Sequence, residues 1–114
     1  MTLRQKRCEF TLCKAKLIIW IFAQGWEVAS GEGYVALTAR FKHAWQSPHK
    51  ERGAHDTGLG EDLLLYVDGK YIVEGTHPAW LAIGTMWESM HELARWGGRF
   101  GDANHISFEH EGRK

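Results

Sequence analysis

A β-hairpin is the feature that most restricts how this chain can fold. In LLLYVDGKYIV, residues 63–73, the pair Asp68-Gly69 is typical of a tight two-residue turn between antiparallel strands. The residues before it, 63–67, are all apolar or aromatic, which predicts a strand that is at least partly buried on both faces. The segment KYIVEG, residues 70–75, is then the returning strand. The fold must therefore contain an antiparallel sheet with a covered surface.

A long helix is predicted at the start of the chain. Residues 3–24 contain neither Pro nor Gly and are followed by Gly25, at which we expect the helix to end. The apolar run LIIWIFA, residues 17–23, is too short to cross a membrane, and no clear signal-peptide cleavage pattern follows it. We therefore expect a buried helix and no export signal. WEVAS, residues 26–30, predicts a short strand.

A second helix is predicted after the hairpin. We expect Thr76 to cap it, with Pro78 in its first turn, and the helix to reach about Ala94 before WGG stops it. Its apolar face is formed by Trp80, Ile83, Trp87 and Met90. HISFEH, residues 105–110, alternates in polarity and predicts the last strand.

This order of elements predicts an α+β fold in which a small antiparallel sheet packs with helices. The irregular stretch from Gly31 to Gly53 is the one long loop, and loops of this length usually have a function. At 114 residues the chain is expected to form a single domain, residues 1–114, with a substantial core.

Charge and cysteine content exclude some classes of protein. The formal net charge is zero, so no basic excess favours binding to nucleic acid. Cys8 and Cys13 are too few for a disulfide framework or a cysteine-based zinc site. We interpret them as free thiols on the first helix.

Histidine and aspartate occur together twice, in HDTGLGED and in DANH. His55 and Asp62 are seven residues apart, and Asp102 and His105 are three apart. An aspartate beside the buried strand LLLY is costly unless it is paired or bound to a metal. Two histidines and one aspartate supply three ligands and leave a fourth position for water, which is the pattern of catalytic zinc. Asp102 would then be free to accept a proton from that water.

Spacing alone leaves other assignments open. His49 and Asp56 have the same seven-residue separation, so either pair could provide the first two ligands. Glu88 and His91 lie three apart on the predicted second helix and could also bind a metal, but a solvated helix face is the favoured interpretation of this pair.

A family resemblance separates the two registers. AHDTGLGEDLLLYVDGKY and WESMHELARWGGRFGDANHISFEH resemble the zinc peptidases that include D-Ala-D-Ala carboxypeptidases and L-alanyl-D-glutamate endopeptidases, especially small phage endolysins. The similarity runs from about Gly33 to the C-terminus, and the strand and DGKY hairpin after Asp62 determine the register. It implies a Hedgehog/DD-peptidase-like fold, Zn²⁺ ligands at His55, Asp62 and His105, and a catalytic acid/base at Asp102.

The departures from the family pattern concern substrate recognition. Gly53 stands where the family usually has serine. Val35 follows Tyr34 at the place where the family often has an arginine that binds substrate. Arg40 or Arg52 is the candidate replacement for that arginine.

The resemblance implies a zinc-dependent peptidase that hydrolyses an amide bond of the peptidoglycan stem peptide. The bond cleaved is either the L-Ala-D-Glu bond, which an endopeptidase would hydrolyse, or the D-Ala-D-Ala bond, which a carboxypeptidase would hydrolyse. The expected setting is phage lysis: the enzyme is made in the host cytoplasm and acts on the cell wall after release. We expect a monomer with no membrane span and no nucleic-acid partner. The alternative is a non-catalytic cell-wall-binding or virion module that retains the fold and the zinc site.

Overall fold

Two helices and an antiparallel sheet make up the described part of the chain. The structure is a computed structural model that describes residues 1–31 and 57–114. In chain order, its elements are α1 (Leu3–Ala23), β1 (Glu27–Ser30), β2 (Gly60–Val67), β3 (Lys70–Tyr71), α2 (Pro78–Met90), β4 (Ala94–Trp96), a 3-10 helix (Gly97–Phe100) and β5 (His105–Phe108). This arrangement confirms the predicted α+β class.

Strand β2 is central to the sheet. The strand order is β1-β2-β5-β4, and β3 pairs with β2 outside this path. One edge of β2 pairs with β1 over residues 63–66, and the other edge pairs with β5 over residues 60–62 and with β3 at residues 66–67. All of these pairings are antiparallel. Strand β2, the first strand of the predicted hairpin, therefore also pairs with the predicted last strand, β5.

Alternation along β2 decides which of its residues reach the core. Glu61, Leu63 and Leu65 are buried, whereas the residues between them are only partly buried. The helices cover the buried face, and the core includes Phe10, Leu17, Ile21, Leu63, Leu65, Ile83, Trp87, Ile106 and Phe108. The ring of Phe10 on α1 packs edge-to-face on Trp87 of α2 and Phe108 of β5, with centroids 5.5 and 5.4 Å apart. Asp62 lies on the opposite face of the sheet.

Several boundaries lie where the sequence predicts them. Thr2 and Gln5 form a reciprocal capping box at the start of α1, and Gly25 follows the helix with φ of +86°. Asp68 and Gly69 have φ of 52° and 75°, the left-handed pair that a type I′ turn requires. The returning strand is shorter than predicted, because only two residues of KYIVEG pair with β2.

The second helix starts one residue later than predicted. His77, and not Thr76, is its N-cap, since the His77 Nδ1 accepts the N–H of Ala79 at 3.0 Å. Pro78 occupies the first turn, as predicted. An imidazole nitrogen thus takes the role that the sequence pattern assigned to a threonine hydroxyl.

The second helix also ends earlier than predicted, at Met90 instead of about Ala94. His91 has an extended backbone, and its Nδ1 accepts the N–H of Leu93, so the helical ladder cannot continue. The chain then forms β4, which the sequence pattern did not predict and which pairs with β5. Trp96 of the WGG motif lies in this strand and does not stop a helix.

The apolar run of α1 is buried on one side only, which corrects the expectation of a buried helix. Leu17 and Ile21 are fully buried, whereas Ile19 and Phe22 are 70% and 50% exposed. No helix among residues 1–31 and 57–114 is both long enough and apolar enough to span a bilayer.

Cys8 and Cys13 are free thiols, as predicted. The predicted loop from Gly31 to Gly53 lies outside the described residues, except for Gly31 itself.

Candidate metal centre

The sheet places Asp62 and His105 opposite each other. They are register partners in the antiparallel pair of β2 and β5. Directly opposed residues project their side chains from the same face, with Cβ atoms about 5 Å apart. The Asp62 Oδ1 lies 3.2 Å from the His105 Nδ1. Backbone pairing therefore brings a carboxylate and an imidazole into contact.

A turn before β5 brings Asp102 to the same place. The 3-10 helix is followed by Gly101, which has φ of +86°. The Asp102 N–H donates to the Gly97 carbonyl at 2.8 Å, and the His105 N–H donates to the Asp102 carbonyl at 3.1 Å. The second bond closes a β-turn over residues 102–105, in which aspartate is favoured at the first position. The Asp102 side chain is thereby held close to His105.

Asp62, Asp102 and His105 form a group that could bind a cation, which we call the Asp/His cluster. One potential ligand atom from each residue lies within 4.8 Å of the other two. His105 is 4% exposed, Asp62 is partly buried and Asp102 is exposed. The imidazole therefore lies at the inner end of the cluster, and the Asp102 carboxylate lies at its solvent side.

Both ring nitrogens of His105 face an oxygen atom that accepts hydrogen bonds. Nδ1 is 3.2 Å from the Asp62 carboxylate, and Nε2 is 3.3 Å from a backbone oxygen of Lys114. A neutral imidazole has one N–H and can satisfy only one of these contacts. An imidazolium would donate to both, whereas a cation between Nδ1 and Asp62 would leave Nε2–H to donate to Lys114. Metal-binding histidines usually donate their second ring N–H to a carbonyl or carboxylate in this way.

The donor set suits zinc in atom type and spacing. Zinc binds imidazole nitrogen and carboxylate oxygen at about 2.0–2.2 Å in a tetrahedron, which places two ligand atoms about 3.4 Å apart. The 3.2 Å between Asp62 Oδ1 and His105 Nδ1 fits this spacing. Imidazole and carboxylate ligands also suit other divalent ions, so the choice of zinc rests on the family resemblance.

Two residues of the WGG motif support the turn that carries Asp102. The Trp96 Nε1–H donates to the Ala103 carbonyl at 2.7 Å. A Cβ on Gly97 would lie 2.2 Å from the Asp102 carbonyl oxygen and 2.7 Å from the His105 Cβ, so the turn can approach only a glycine. The sequence pattern did not reveal this role. Its only signal was the glycine pair, which we interpreted as a helix stop.

An ion pair between a buried glutamate and a partly exposed lysine lies behind the cluster, on the core side of β2. Glu61 is 7% exposed, accepts a hydrogen bond from the Ser30 hydroxyl at 2.6 Å, and lies 3.2 Å from the Lys14 Nζ. These contacts connect β2 to β1 and to α1. Because Glu61 precedes Asp62 directly, they hold the strand segment that presents the Asp62 carboxylate.

A cleft of about 290 Å³ opens beside Asp102. It lies where β3 and β5 pair with different parts of the same edge of β2. Residues 71–73 line one side and residues 101–104 line the other, together with Leu63, Gly75 and Trp80. Of the three cluster residues, Asp102 lines this cleft, whereas Asp62 and His105 do not.

The structure brings together three of the four residues to which the sequence assigned zinc chemistry: Asp62, Asp102 and His105. His55, the predicted third ligand, and Arg40, the predicted substrate-binding residue, lie outside the described residues. The competing pair, His49 and Asp56, lies outside them as well.

Glu88 and His91 do not form a second metal pair. Glu88 accepts a hydrogen bond from Arg99 at 2.8 Å. His91 Nε2 lies 3.1 Å from a Glu9 carboxylate oxygen, and its ring stacks on Phe108. The two side chains thus have separate structural partners.

Comparison with protein-family models and with curated proteins finds no match for this chain.

Proposed function

We propose that the chain is a zinc-dependent peptidase that hydrolyses an amide bond of the peptidoglycan stem peptide. The observation that carries this proposal is the convergence of Asp62, Asp102 and His105 in one cluster. Asp62 and Asp102 are forty residues apart in the sequence, and the family pattern assigns both to one site. The setting in phage lysis, with action on the wall after release from the host cytoplasm, is proposed on the resemblance.

Asp62 and His105 are the proposed metal ligands, together with His55. Zinc, when bound, supplies a Lewis acid that polarises the scissile carbonyl and lowers the pKa of a water molecule toward about 7. Asp102 is the exposed member of the cluster, so its carboxylate can accept a proton from the attacking water. The same group then delivers that proton to the leaving amine. The turn over residues 102–105 keeps Asp102 beside the ligands during both steps.

The cleft beside Asp102 is the proposed binding site for the stem peptide. Several of its lining residues are small: Gly75, Gly101 and Ala103. Small residues leave backbone groups accessible, which suits a peptide substrate whose own side chains include alanine methyl groups. Arg40 remains the proposed side chain for binding a substrate carboxylate.

Metal content tests the proposed site directly. Protein reconstituted with zinc is desalted and its metal is measured by mass spectrometry, alongside His105→Ala and His110→Ala. His110 contacts Lys6 and is not part of the cluster, so its variant is the matched control. We expect one zinc per chain in wild type and in His110→Ala, and loss of zinc in His105→Ala.

Hydrolysis of purified peptidoglycan, with and without a chelator, tests the reaction. Mass spectrometry of the fragments identifies the bond: a new amino terminus on D-glutamate indicates the endopeptidase, and loss of D-alanine indicates the carboxypeptidase. Zinc bound without cleavage of either bond would favour the non-catalytic wall-binding module. Absence of zinc after reconstitution would contradict both functions.

A further inference from the structure

Helix α1 has two apolar faces, although a helix on a protein surface usually has one. The inner face packs into the core through Phe10, Cys13, Leu17 and Ile21. The outer face carries a second row of residues, all exposed, which we call the outer stripe: Cys8, Leu12, Ala15, Ile19 and Phe22. Leu12, Ile19 and Phe22 are 55%, 70% and 50% exposed, so three large apolar side chains of one helix face are in contact with water.

The outer stripe has the spacing of a coiled-coil seam. Its members are four, three, four and three residues apart, a mean of 3.5. This repeat keeps apolar side chains aligned with a partner helix, with Leu12 and Ile19 at position a and the other members at position d. The preceding a position holds an exposed Gln5. The outer stripe therefore has the pattern of a surface that packs on a second helix.

The charges beside the outer stripe identify that helix as another copy of α1. Glu9 and Lys16 occupy the e positions that follow Cys8 and Ala15. One carboxylate oxygen of Glu9 contacts His91 within the chain, and the side chain is 43% exposed, so the carboxylate can also face a lysine of a second copy. In an antiparallel helix pair the e positions of the two helices face each other, so Glu9 of each copy lies beside Lys16 of the other. The arrangement is self-complementary, as a two-fold symmetric dimer requires.

The same two charges select one register. When Leu12 packs against Ala15 of the second copy, a large residue faces a small one and each Glu9 meets a Lys16. A slip of one heptad in one direction would place Lys16 opposite Lys16. A slip in the other direction would place Glu9 opposite Glu9. Both slips replace attraction by repulsion at the edge of the seam.

Charge also selects the antiparallel orientation. The first turns of α1 contain three basic residues in RQKR, residues 4–7. A parallel pair would bring two such segments together, along with the positive ends of both helix dipoles. An antiparallel pair separates them by the length of the helix.

We propose that α1 pairs with α1 of a second copy of this chain through the outer stripe, antiparallel and with Leu12 opposite Ala15. The Asp/His cluster lies on the face of the sheet that α1 does not cover, so pairing through α1 does not cover the cluster. The proposed dimer differs from the monomer that the sequence led us to expect, and it does not depend on the proposed peptidase function. Because two heptads bury little surface, the dissociation constant should be on the order of micromolar.

Sedimentation velocity over a range of concentrations tests the dimer in the full-length chain. Ile19→Lys places a charge in the seam and should shift the dissociation constant upward by at least tenfold. Leu81→Lys is the matched control, since Leu81 on α2 is 55% exposed and lies outside the outer stripe. Both substitutions are at exposed positions, and circular dichroism verifies that the variants are folded. A wild type that stays monomeric at several hundred micromolar would overturn the proposal.

Disulfide trapping tests the register and the orientation. In the proposed register Cys8 faces position 19 of the second copy, so Ile19→Cys should yield a dimer linked by two disulfides under mild oxidation. Wild type should not cross-link through Cys8, because the two Cys8 residues lie at opposite ends of the seam. Efficient Cys8–Cys8 cross-linking in wild type would contradict the antiparallel pair. Lys16→Glu should weaken the dimer, and adding Glu9→Lys should restore it. Failure of this rescue would contradict the charge pairing.

Discussion

Asp62 Oδ1 lies 3.2 Å from His105 Nδ1, and the two residues are direct register partners on β2 and β5. The contact is therefore set by the hydrogen-bonded sheet. Each strand is also anchored elsewhere: β2 by the ion pair of Glu61 with Lys14, and β5 by the burial of Ile106 and Phe108. Two of the proposed ligands are thus positioned before any metal binds, which reduces the ordering cost of binding.

Asp102→Asn separates metal binding from turnover. Asparagine suits the first position of the turn as well as aspartate does, so the fold and the zinc content should be unchanged. An amide cannot accept the proton from the attacking water, and we expect kcat to fall by about 10²–10⁴-fold. Asp68→Asn makes the same chemical change at an exposed hairpin position and should keep full activity. Normal hydrolysis by Asp102→Asn, measured on purified peptidoglycan, would exclude Asp102 as the base.

Lys14→Met should destabilise the fold by removing the partner of a buried carboxylate. The Glu61 side chain is 9% exposed and Lys14 is 29% exposed, so the charge left behind is poorly solvated. We expect a loss of about 2 kcal/mol in the free energy of unfolding, measured by urea denaturation. Lys70→Met, at an exposed position on β3, should change stability by less than about 0.5 kcal/mol. Equal effects of the two substitutions on the free energy of unfolding would show that the ion pair of Lys14 with Glu61 does not contribute to stability.

Local signals in the sequence predicted the elements that depend on neighbouring residues. The predicted Asp68-Gly69 turn is complete within two residues, so its geometry follows from the local sequence. The Thr2–Gln5 capping box at the start of α1 is equally local, but it was not among the predicted features. Strand β4 could not be predicted in this way, because three residues show no period. This strand forms because His91 ends the helix and the following residues then pair with the backbone of β5.

The cluster was predictable only in part, for a similar reason. The family resemblance assigned Asp62, Asp102 and His105 to one site, because spacing alone left the competing pair of His49 and Asp56 open. The contributions of Gly97 and Trp96 depend on how closely two backbone segments approach, which spacing does not reveal.

Cys13 should make stability fall at alkaline pH. Burial raises the pKa of the Cys13 thiol above its ordinary value and outweighs the nearby Lys16, which lowers it, while Glu9 adds a smaller increase. The protonated thiol is favoured in the fold, so its contribution is present below the ordinary pKa and is lost as the pH rises through the raised value. Wild type should therefore lose stability relative to Cys13→Ala between about pH 8 and pH 10, in urea denaturation. Cys8→Ala, at an exposed thiol, is the control. A constant difference across this range would contradict the assignment.

Ending the chain at Gly112 should weaken metal binding without removing any proposed ligand. The backbone oxygen of Lys114 lies 3.3 Å from the His105 Nε2 and can accept its N–H, so that Nδ1 is the nitrogen that faces the metal. The segment reaches this position through a turn in which Glu111 and Gly112 have φ of 52° and 77°, closed by hydrogen bonds between His110 and Arg113. We expect zinc affinity, measured by chelator competition, to fall by about 10–100-fold. Replacing both Arg113 and Lys114 by alanine keeps the backbone oxygen and should preserve the affinity. If truncation and double substitution weaken zinc binding equally, the side chains and not the backbone oxygen act on the site.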